Sequence, residues 1–267
     1  MSKLHHLLPM LIISSLSFIS CQKEATLLSD KRIAKVTGNG TTFKYTYDAQ
    51  KRLIKQEQIN DTTLAATISF DYSQNNKVIE TTKDDKKVIY KLVYLLDASG
   101  KAIKYYSIDP NTNIEDTTQA VTFKYNADSQ LSETIYPKNS NGYTTKSVST
   151  YSGGNLIKVT RTTTASNGEI TSNSTAVYEY NPVVVNTIDN EHYGKSFLGK
   201  DSKNSFSKYT YTNVEKYNGV TTNYTTLRNN TYEVNTEGLI TRNQVNGNWT
   251  VDSRSHVISF DNAITYQ

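Results

Sequence analysis

Two histidines lie beyond the first twenty residues, and His192 directly follows a short acidic stretch. The preceding residues 189–191 read Asp-Asn-Glu, which superficially resembles a cluster of metal ligands. Neighbours along an extended chain point to opposite sides, whereas zinc needs ligands that converge on one point. The second histidine, His256, is far away in the sequence. The sequence therefore favours a polar loop over 181–205 and predicts no metal site there.

A second acidic stretch, 109–116, has the sequence Asp-Pro-Asn-Thr-Asn-Ile-Glu-Asp. Oxygen-bearing side chains at alternate positions are typical of a calcium loop. The stretch lacks glycine at its sixth position, and Ala120 stands where the bidentate glutamate belongs. A turn between two strands explains the stretch as well, so a weak calcium site and a plain turn both stay open.

No other constellation indicates catalysis. Residues 83–87 read Lys-Asp-Asp-Lys-Lys and are typical of a solvated hairpin tip. The sequence shows neither a serine-nucleophile motif nor a glycine-rich phosphate loop, and its only cysteine is Cys21. We therefore predict that the chain is not an enzyme, has no catalytic residues and uses no cofactor.

Trp249 is the only tryptophan, and it follows Asn-Gly-Asn. A ring in a loop beside amide side chains could stack on a sugar. The sequence favours the alternative, in which Trp249 packs beneath the last hairpin. Ligand-binding residues are not identified from the sequence.

The first twenty residues have the composition of an export signal. Residues 7–19 are apolar but too short for a membrane span of about 20 residues. A small residue directly before Cys21 resembles the lipobox of bacterial prolipoproteins, although Phe18 stands where leucine is common. The resemblance implies cleavage of a signal peptide, 1–20, and lipidation of Cys21, which leaves a lipidated tether over 21–29.

Gln22, Lys23 and Glu24 follow that cysteine. They resemble the export tag of Bacteroidota lipoproteins, in which a lysine and acidic residues follow the lipidated cysteine. Only one acidic residue is present here. The resemblance implies a lipid-anchored outer-membrane protein that faces the cell exterior, and retention in the periplasm is the alternative.

A degenerate repeat runs through residues 30–267. Its clearest copy is Thr-Phe-Lys-Tyr-Thr-Tyr-Asp at 42–48, followed by Arg-Leu at 52–53. Alternation with a period of two predicts a strand, and Asp, Ser or Asn after it predicts a turn. Each unit is therefore predicted to be one β-hairpin. Anchoring on the residue before the turn gives nine units, at positions 47, 72, 96, 125, 151, 180, 211, 234 and 260.

Hairpins in series predict a single all-β domain over 30–267, an antiparallel meander of about nine hairpin units. Beyond ~10 strands the accumulated twist makes a sheet curl, split or close. We expect one strongly twisted, curled sheet, a β-roll, with its aromatic face inward. The 20 tyrosines suit that face because a tyrosine ring can be buried while its hydroxyl stays hydrogen-bonded or wet.

The aromatic-x-aromatic-Asp turn followed by Arg-Leu resembles the YD repeat of bacterial wall-associated and Rhs-type proteins. The whole layout resembles a family of Bacteroidota outer-membrane lipoproteins of unknown function that are built from such degenerate hairpins. Residues 197–204 resemble a stretch that recurs in that family. The resemblance implies an architecture and not an activity.

Two classes of function stay open. The first is a surface-exposed module that binds a glycan or a protein ligand, and the second is a structural or accessory outer-membrane lipoprotein. Net charge is only +4, and basic and acidic residues are interleaved, so we expect no nucleic-acid partner. We expect a monomer that contacts the membrane through its N-terminal lipid. A solvent-exposed aromatic patch would favour binding, and tyrosines buried inside the roll would favour the structural role.

Overall fold

The alternating residues form sixteen antiparallel strands in a computed structural model, which describes residues 30–84, 86–217, 219–252 and 254–267. Each strand pairs with the next along the chain, and the last pairs with the first. The strands are β1 (Ile33–Gly38), β2 (Thr41–Tyr47), β3 (Leu53–Asn60), β4 (Thr63–Asp71), β5 (Lys77–Lys83), β6 (Val88–Leu96), β7 (Ala102–Ile108), β8 (Glu115–Tyr125), β9 (Leu131–Tyr136), β10 (Thr144–Ser152), β11 (Asn155–Thr164), β12 (Ile170–Val185), β13 (Asn204–Tyr217), β14 (Val220–Val234), β15 (Ile240–Val251) and β16 (Arg254–Tyr266).

The prediction of an all-β antiparallel meander is confirmed, but the prediction of an open, curled β-roll is wrong because the sheet closes into a barrel. Thr37 of β1 lies opposite Ala263 of β16. At the other end of the β1–β16 pairing, the backbones of Arg32 and Gln267 exchange two hydrogen bonds, of 3.1 and 2.8 Å. An open sheet would leave a row of unpaired donors and acceptors on each edge strand, and closure removes both edges at once.

The unit count needs a second correction. Positions 180, 211 and 260, which were predicted to precede turns, lie inside β12, β13 and β16. Long strands pair straight through positions 211 and 260, since Tyr211 lies opposite Thr226 and Phe260 lies opposite Val245. The predicted count of nine hairpin units is therefore wrong, and the error lies in the C-terminal third of the chain.

Four hairpin turns at one end of the barrel share one construction. At 48–52, the Asp48 carboxylate accepts hydrogen bonds from the backbone N–H groups of Gln50 (3.0 Å) and Arg52 (2.9 Å). Lys51 takes a left-handed conformation with φ of 61°. Asp97, Asn126 and Asn235 begin turns with the same type of side-chain acceptor. This explains why Asp or Asn follows the strand in each of these units.

In five of the even-numbered strands, a tyrosine ties its strand to the preceding strand. Its hydroxyl donates a hydrogen bond to the carbonyl oxygen of an apolar residue at or near the start of that neighbour. The pairs are Tyr47–Ile33 (2.7 Å), Tyr125–Ala102 (2.8 Å), Tyr151–Leu131 (2.9 Å), Tyr180–Leu156 (2.7 Å) and Tyr266–Ile240 (3.0 Å). The repeat's tyrosine and its aliphatic position are thus joined, which gives the periodicity a structural cause.

Inward and outward positions alternate along each strand. In β6, Tyr94 faces inward, while its neighbour Val93 faces outward and is buried with Tyr106 and Ala120 in a small outer cluster. The principal core lies inside the barrel, around Leu53, and is described below. No helix in the described ranges is long and apolar enough to cross a membrane.

Candidate functional site: the plugged barrel interior

The chain between β12 and β13, residues 186–203, enters one end of the barrel, and we call this segment the plug. It contains a three-residue 3-10 turn, Ser196–Leu198. Phe197 is only 5 % exposed and packs in the main core with Leu53 and Val78. Of the loop predicted over 181–205, residues 186–203 form a loop, whereas 181–185 and 204–205 belong to β12 and β13. This loop is partly buried, with Thr187, His192 and Phe197 shielded from water.

Backbone groups around the barrel wall find their hydrogen-bond partners in the plug. Strand ends at a barrel mouth have unpaired N–H and C=O groups, and burying them without partners would be costly. Four backbone N–H groups of the wall donate to the plug: Ile33 N to His192 O (3.0 Å), Leu53 N to Gly194 O (3.0 Å), Leu156 N to Ser202 Oγ (3.0 Å) and Ile240 N to Thr187 Oγ1 (2.9 Å). Two backbone N–H groups of the plug donate to the wall: Lys200 N to Ser129 O (2.9 Å) and Lys203 N to Gly154 O (3.0 Å). The plug is therefore joined to the wall on many sides.

Gly194 shows how closely the plug approaches the wall. Its φ is +67°, and a Cβ built there would lie 2.7 Å from the backbone nitrogen of Leu53 and 2.8 Å from the ring of Tyr47. Both the conformation and the contact distance require glycine. The plug therefore has one defined position against the barrel wall.

His192 belongs to the plug and pairs with Asp189. The distance from its Nδ1 to Asp189 Oδ1 is 2.6 Å, and its backbone N–H donates to the same oxygen at 2.9 Å. Within the described ranges, no group of three or more His, Cys, Asp or Glu side chains is placed to hold a metal ion. The pair accounts for the Asp-Asn-Glu-His pattern as a local turn contact.

A cavity of about 530 Å³ lies between the plug and the barrel wall. Aromatic rings form one side of this cavity. The ring centroid of Tyr105 lies 5.6 Å from the ring centroid of Tyr94 and 5.6 Å from that of Phe123. Hydroxyl groups of Thr134, Ser147 and Ser149 and polar groups of Asn190, Lys200 and Asp201 complete the lining. The cavity therefore combines flat apolar faces with hydrogen-bonding groups.

Two charged plug residues are placed among inward-facing side chains. Burial raises the pKa of Asp201. The backbone N–H of Asn190 donates a hydrogen bond to Asp201 Oδ2 at 2.6 Å, and this bond partly offsets the effect of burial on the pKa. Asp201 is crowded by protein, yet it borders the cavity and water still reaches it. Burial lowers the pKa of Lys195, whose Nζ lies 4.9 Å from the centroid of the Phe70 ring, and the Glu80 carboxylate partly offsets that effect.

Two known structures from Bacteroides share this fold. A porin-like protein from Bacteroides uniformis ATCC 8492 aligns with a TM-score of 0.57 at 15% identity, over 88% of this chain and 96% of its own. A porin-like protein from Bacteroides vulgatus ATCC 8482 aligns with a TM-score of 0.57 at 14% identity, over 89% and 99%. The toxin complex TcdB2-TccC3 aligns with a TM-score of only 0.28 at 11% identity, over 80% and 15%.

No protein-family model and no curated protein sequence matches the chain. At these identities the likeness to the two Bacteroides proteins concerns the fold alone. The barrel of this chain is thus a known architecture.

Away from the plug, the interior carries further aromatic and cationic groups. The guanidinium of Arg161 lies 5.1 Å from the Tyr136 ring centroid, and that of Arg228 lies 5.6 Å from the Tyr209 ring centroid. Trp249 lies within β15 and stacks on His256 of β16, with ring centroids 5.4 Å apart. Trp249 therefore lies in a strand and not in a loop, and at 40% exposure it is not buried beneath the last hairpin.

The outer face is rich in charge. The Glu133 carboxylate forms ion pairs with Lys124 (2.7 Å) and Lys146 (2.6 Å), which lie on the two flanking strands. Their hydrogen bonds hold the pKa of Glu133 below its usual range. On the opposite part of the wall, hydrogen bonds from Arg242 lower the pKa of Asp261 to about 2. These ion pairs bridge neighbouring strands on the surface.

The remaining predicted positions are placed as follows. Cys21, Gln22, Lys23 and Glu24 lie outside the described residues. The stretch 109–116 forms the tip between β7 and β8, where Asp109 Oδ1 accepts from Asn111 N at 2.8 Å. Glu115 and Asp116 already belong to β8, where Asp116 Oδ1 accepts hydrogen bonds from the backbone N–H and the hydroxyl of Thr118. Asp84 caps a hairpin tip through the N–H groups of Lys86 and Lys87, which agrees with the sequence interpretation.

The plug was not predicted from the sequence. A signal was present, because 186–203 contains Ile188, Tyr193, Phe197 and Leu198 together with two glycines. Apolar residues at that density are uncommon in a loop that stays in water. The segment's general polarity concealed them.

Proposed function

We propose that the chain is a lipid-anchored, non-enzymatic envelope protein whose barrel stands in water and binds a glycan in the cavity beneath the plug. The observation that carries the proposal is the 530 Å³ cavity with rings on one side and hydroxyl, amide and carboxylate groups on the other. We further propose that it acts as a monomer, without a cofactor or nucleic acid, anchored through Cys21 and displayed by Gln22, Lys23 and Glu24.

The chemistry of the cavity suits a sugar. A pyranose presents C–H groups on its faces and hydroxyls around its edge. Rings such as Tyr105 and Phe123 offer a flat apolar surface, while Ser147, Asn190 and Asp201 offer donors and acceptors. Ligand sites commonly combine predominantly apolar walls with a few placed polar groups.

The chemistry of the outer wall supports a barrel in water. A strand wall that faces lipid carries an apolar band about 25 Å tall, and a charge on it is costly. Here Glu133 with its two lysines and Arg242 with its two acids lie on the outer face. A lipid at Cys21 would then hold the protein to the membrane, and an envelope location suits the porin-like neighbours.

Adjacent residues on β10 give a matched test of the cavity. Ser149 lines the cavity, whereas Val148 faces outward and is 39% exposed. The exported full-length protein is purified and screened on a glycan array as wild type, Ser149→Trp and Val148→Trp. We expect wild type and Val148→Trp to bind the same glycans and Ser149→Trp to lose them. Binding that survives in a folded Ser149→Trp protein would contradict the proposed site.

Surface display is tested separately by protease treatment of intact cells. We expect the wild-type domain to be cleaved and a Lys23→Ala/Glu24→Ala variant to be protected. Full protection of the wild-type protein would contradict display on the exterior.

A structural or accessory role is the second candidate, and one observation favours it. Most tyrosines beside the turns use their hydroxyls to bind neighbouring backbone carbonyls, so these side chains serve the barrel and not a ligand. A glycan array without any binder would support this candidate and overturn glycan binding.

A further inference from the structure

Arg161 faces the barrel interior in an unusual setting. The strand register places it between Ser147 of β10 and Ser174 of β12. Its guanidinium lies against the Tyr136 ring at 5.1 Å, and no ion pair joins it to an acid within the described ranges. Arg161 is nevertheless exposed, so solvent reaches it inside the barrel.

Hydroxyl groups surround this arginine. Six of the eight inward positions next to it, on its own and the two flanking strands, are serine or threonine, and the other two are aliphatic. These hydroxyl-bearing positions are Thr145, Ser147, Ser149, Thr163, Ser172 and Ser174. None of these eight neighbouring positions carries a carboxylate that could pair with the Arg161 guanidinium.

The nearest acid in register is Glu215, which lies two strands away opposite Ser172. Its carboxylate already accepts a hydrogen bond from Asn213 Nδ2 at 2.8 Å. The planar guanidinium of an arginine is preorganised to bind a carboxylate through two parallel hydrogen bonds. Stacking on an aromatic ring restricts the orientation of the guanidinium.

Arg161 also adjoins the cavity, because its neighbours Ser147 and Ser149 line that cavity. We infer that the ligand is an acidic saccharide whose uronate carboxylate binds Arg161, with the sugar ring against the aromatic side of the cavity. This inference rests on the proposed function, since it names the class of glycan that the same site takes. The surrounding hydroxyls would bind sugar hydroxyls next to the carboxylate.

The probes are a trigalacturonate and its neutral methyl ester, titrated calorimetrically into the full-length protein. We expect the acid to bind at least about tenfold more tightly than the ester, which corresponds to about 1.4 kcal/mol. Arg161→Gln is expected to abolish that difference, and Arg161→Lys to restore part of it because it keeps the charge but loses the fork. Lys158→Gln, on the outer face of the same strand, is the matched control and is expected to behave as wild type.

The outcomes separate the two proposals. Equal affinity for acid and ester, or an unchanged preference in Arg161→Gln, overturns the acidic ligand and leaves glycan binding standing. An array that returns only neutral glycans does the same. An array with no glycan binder overturns the proposed function itself. Equal melting temperatures of Arg161→Gln and wild type confirm that the variant is folded.

Discussion

The tyrosines beside the turns differ in what their hydroxyls do, and that difference predicts opposite effects of the same substitution. Tyr125 donates to the carbonyl oxygen of Ala102 at 2.8 Å. The buried hydroxyl of Tyr72 has no hydrogen-bond partner among the described residues. Tyr125→Phe should lower the free energy of unfolding by about 1 kcal/mol, and Tyr72→Phe should leave it unchanged or raise it, because no bond is lost.

Urea denaturation of the two variants measures this directly. Each variant removes one oxygen from a ring of the same type, so Tyr72→Phe is the internal control for Tyr125→Phe. Equal losses in the two proteins would show that the hydroxyl bonds to the neighbouring strand do not stabilise the barrel.

The same tyrosines predict sensitivity to alkali. Burial raises the pKa of Tyr125 and of Tyr151 to about 12, whereas an unfolded tyrosine titrates near 10. Between these values the unfolded chain loses protons that the barrel retains, so the equilibrium shifts toward unfolding. This contribution to stability is complete below about pH 10 and is lost as the pH rises toward 12.

Tyrosinate absorbance and circular dichroism, followed together, check the effect. We expect most phenolate to appear together with the loss of β-structure above pH 10. Full tyrosine titration near pH 10 with the β-signal intact would show that the rings are freely ionisable and would contradict their burial.

At this scale the sequence located the tyrosines but not their partners. Tyr125 could be placed before a turn from its own segment alone. Its acceptor, Ala102, lies 23 residues earlier, and only the register of the neighbouring strand brings the two together. Arg161 was missed for the same reason, because five of the six hydroxyl-bearing positions around it lie on β10 and β12.

Among the elements, the plug yields the sharpest prediction. Gly194 and Gly168 both have positive φ, but a Cβ at Gly168 would meet nothing within 4 Å. Both alanine substitutions therefore incur backbone strain, and only Gly194→Ala also forces contact with Leu53 and Tyr47. We expect Gly194→Ala to be the less stable variant by about 1–3 kcal/mol, the usual cost of overpacking.

Thermal unfolding of the two purified variants gives the comparison. Equal melting temperatures would mean that the plug can withdraw without cost and is not seated as described. A selective loss in Gly194→Ala together with weaker glycan binding would link the plug to the cavity that it borders.

Strands and turns were largely predictable, and the exceptions have a physical cause. Around Tyr211 the pattern of an aromatic residue followed by Thr and Asn imitates the end of a unit, yet β13 continues to Tyr217. The Asn-Gly pair at 218–219 is the stronger hairpin signal in that segment. Trp249 was misplaced similarly, because Asn-Gly-Asn suggested a loop where β15 continues.

For the whole molecule, closure was the step that the sequence left open. An open roll and a barrel have the same strands, turns and inward faces, and they differ only in whether β1 meets β16. Ile33 and Tyr266 lie at opposite ends of the described chain, and no local pattern marks them as partners. The lipid anchor at Cys21 stays a prediction.

An engineered disulfide across the seam tests closure. Thr37 and Ala263 lie directly opposite each other on β1 and β16, and paired residues in antiparallel strands have Cβ atoms about 4.5–5.5 Å apart, close to disulfide geometry. In a Cys21→Ser background the two introduced thiols are the only ones in the chain. We expect Thr37→Cys/Ala263→Cys to lose two thiols on mild oxidation and to resist unfolding until it is reduced. Thr37→Cys/Thr231→Cys is the control, because Thr231 lies on β14, three strand spacings or about 14 Å away, and should not cross-link. An open roll would leave the first pair as free thiols as well.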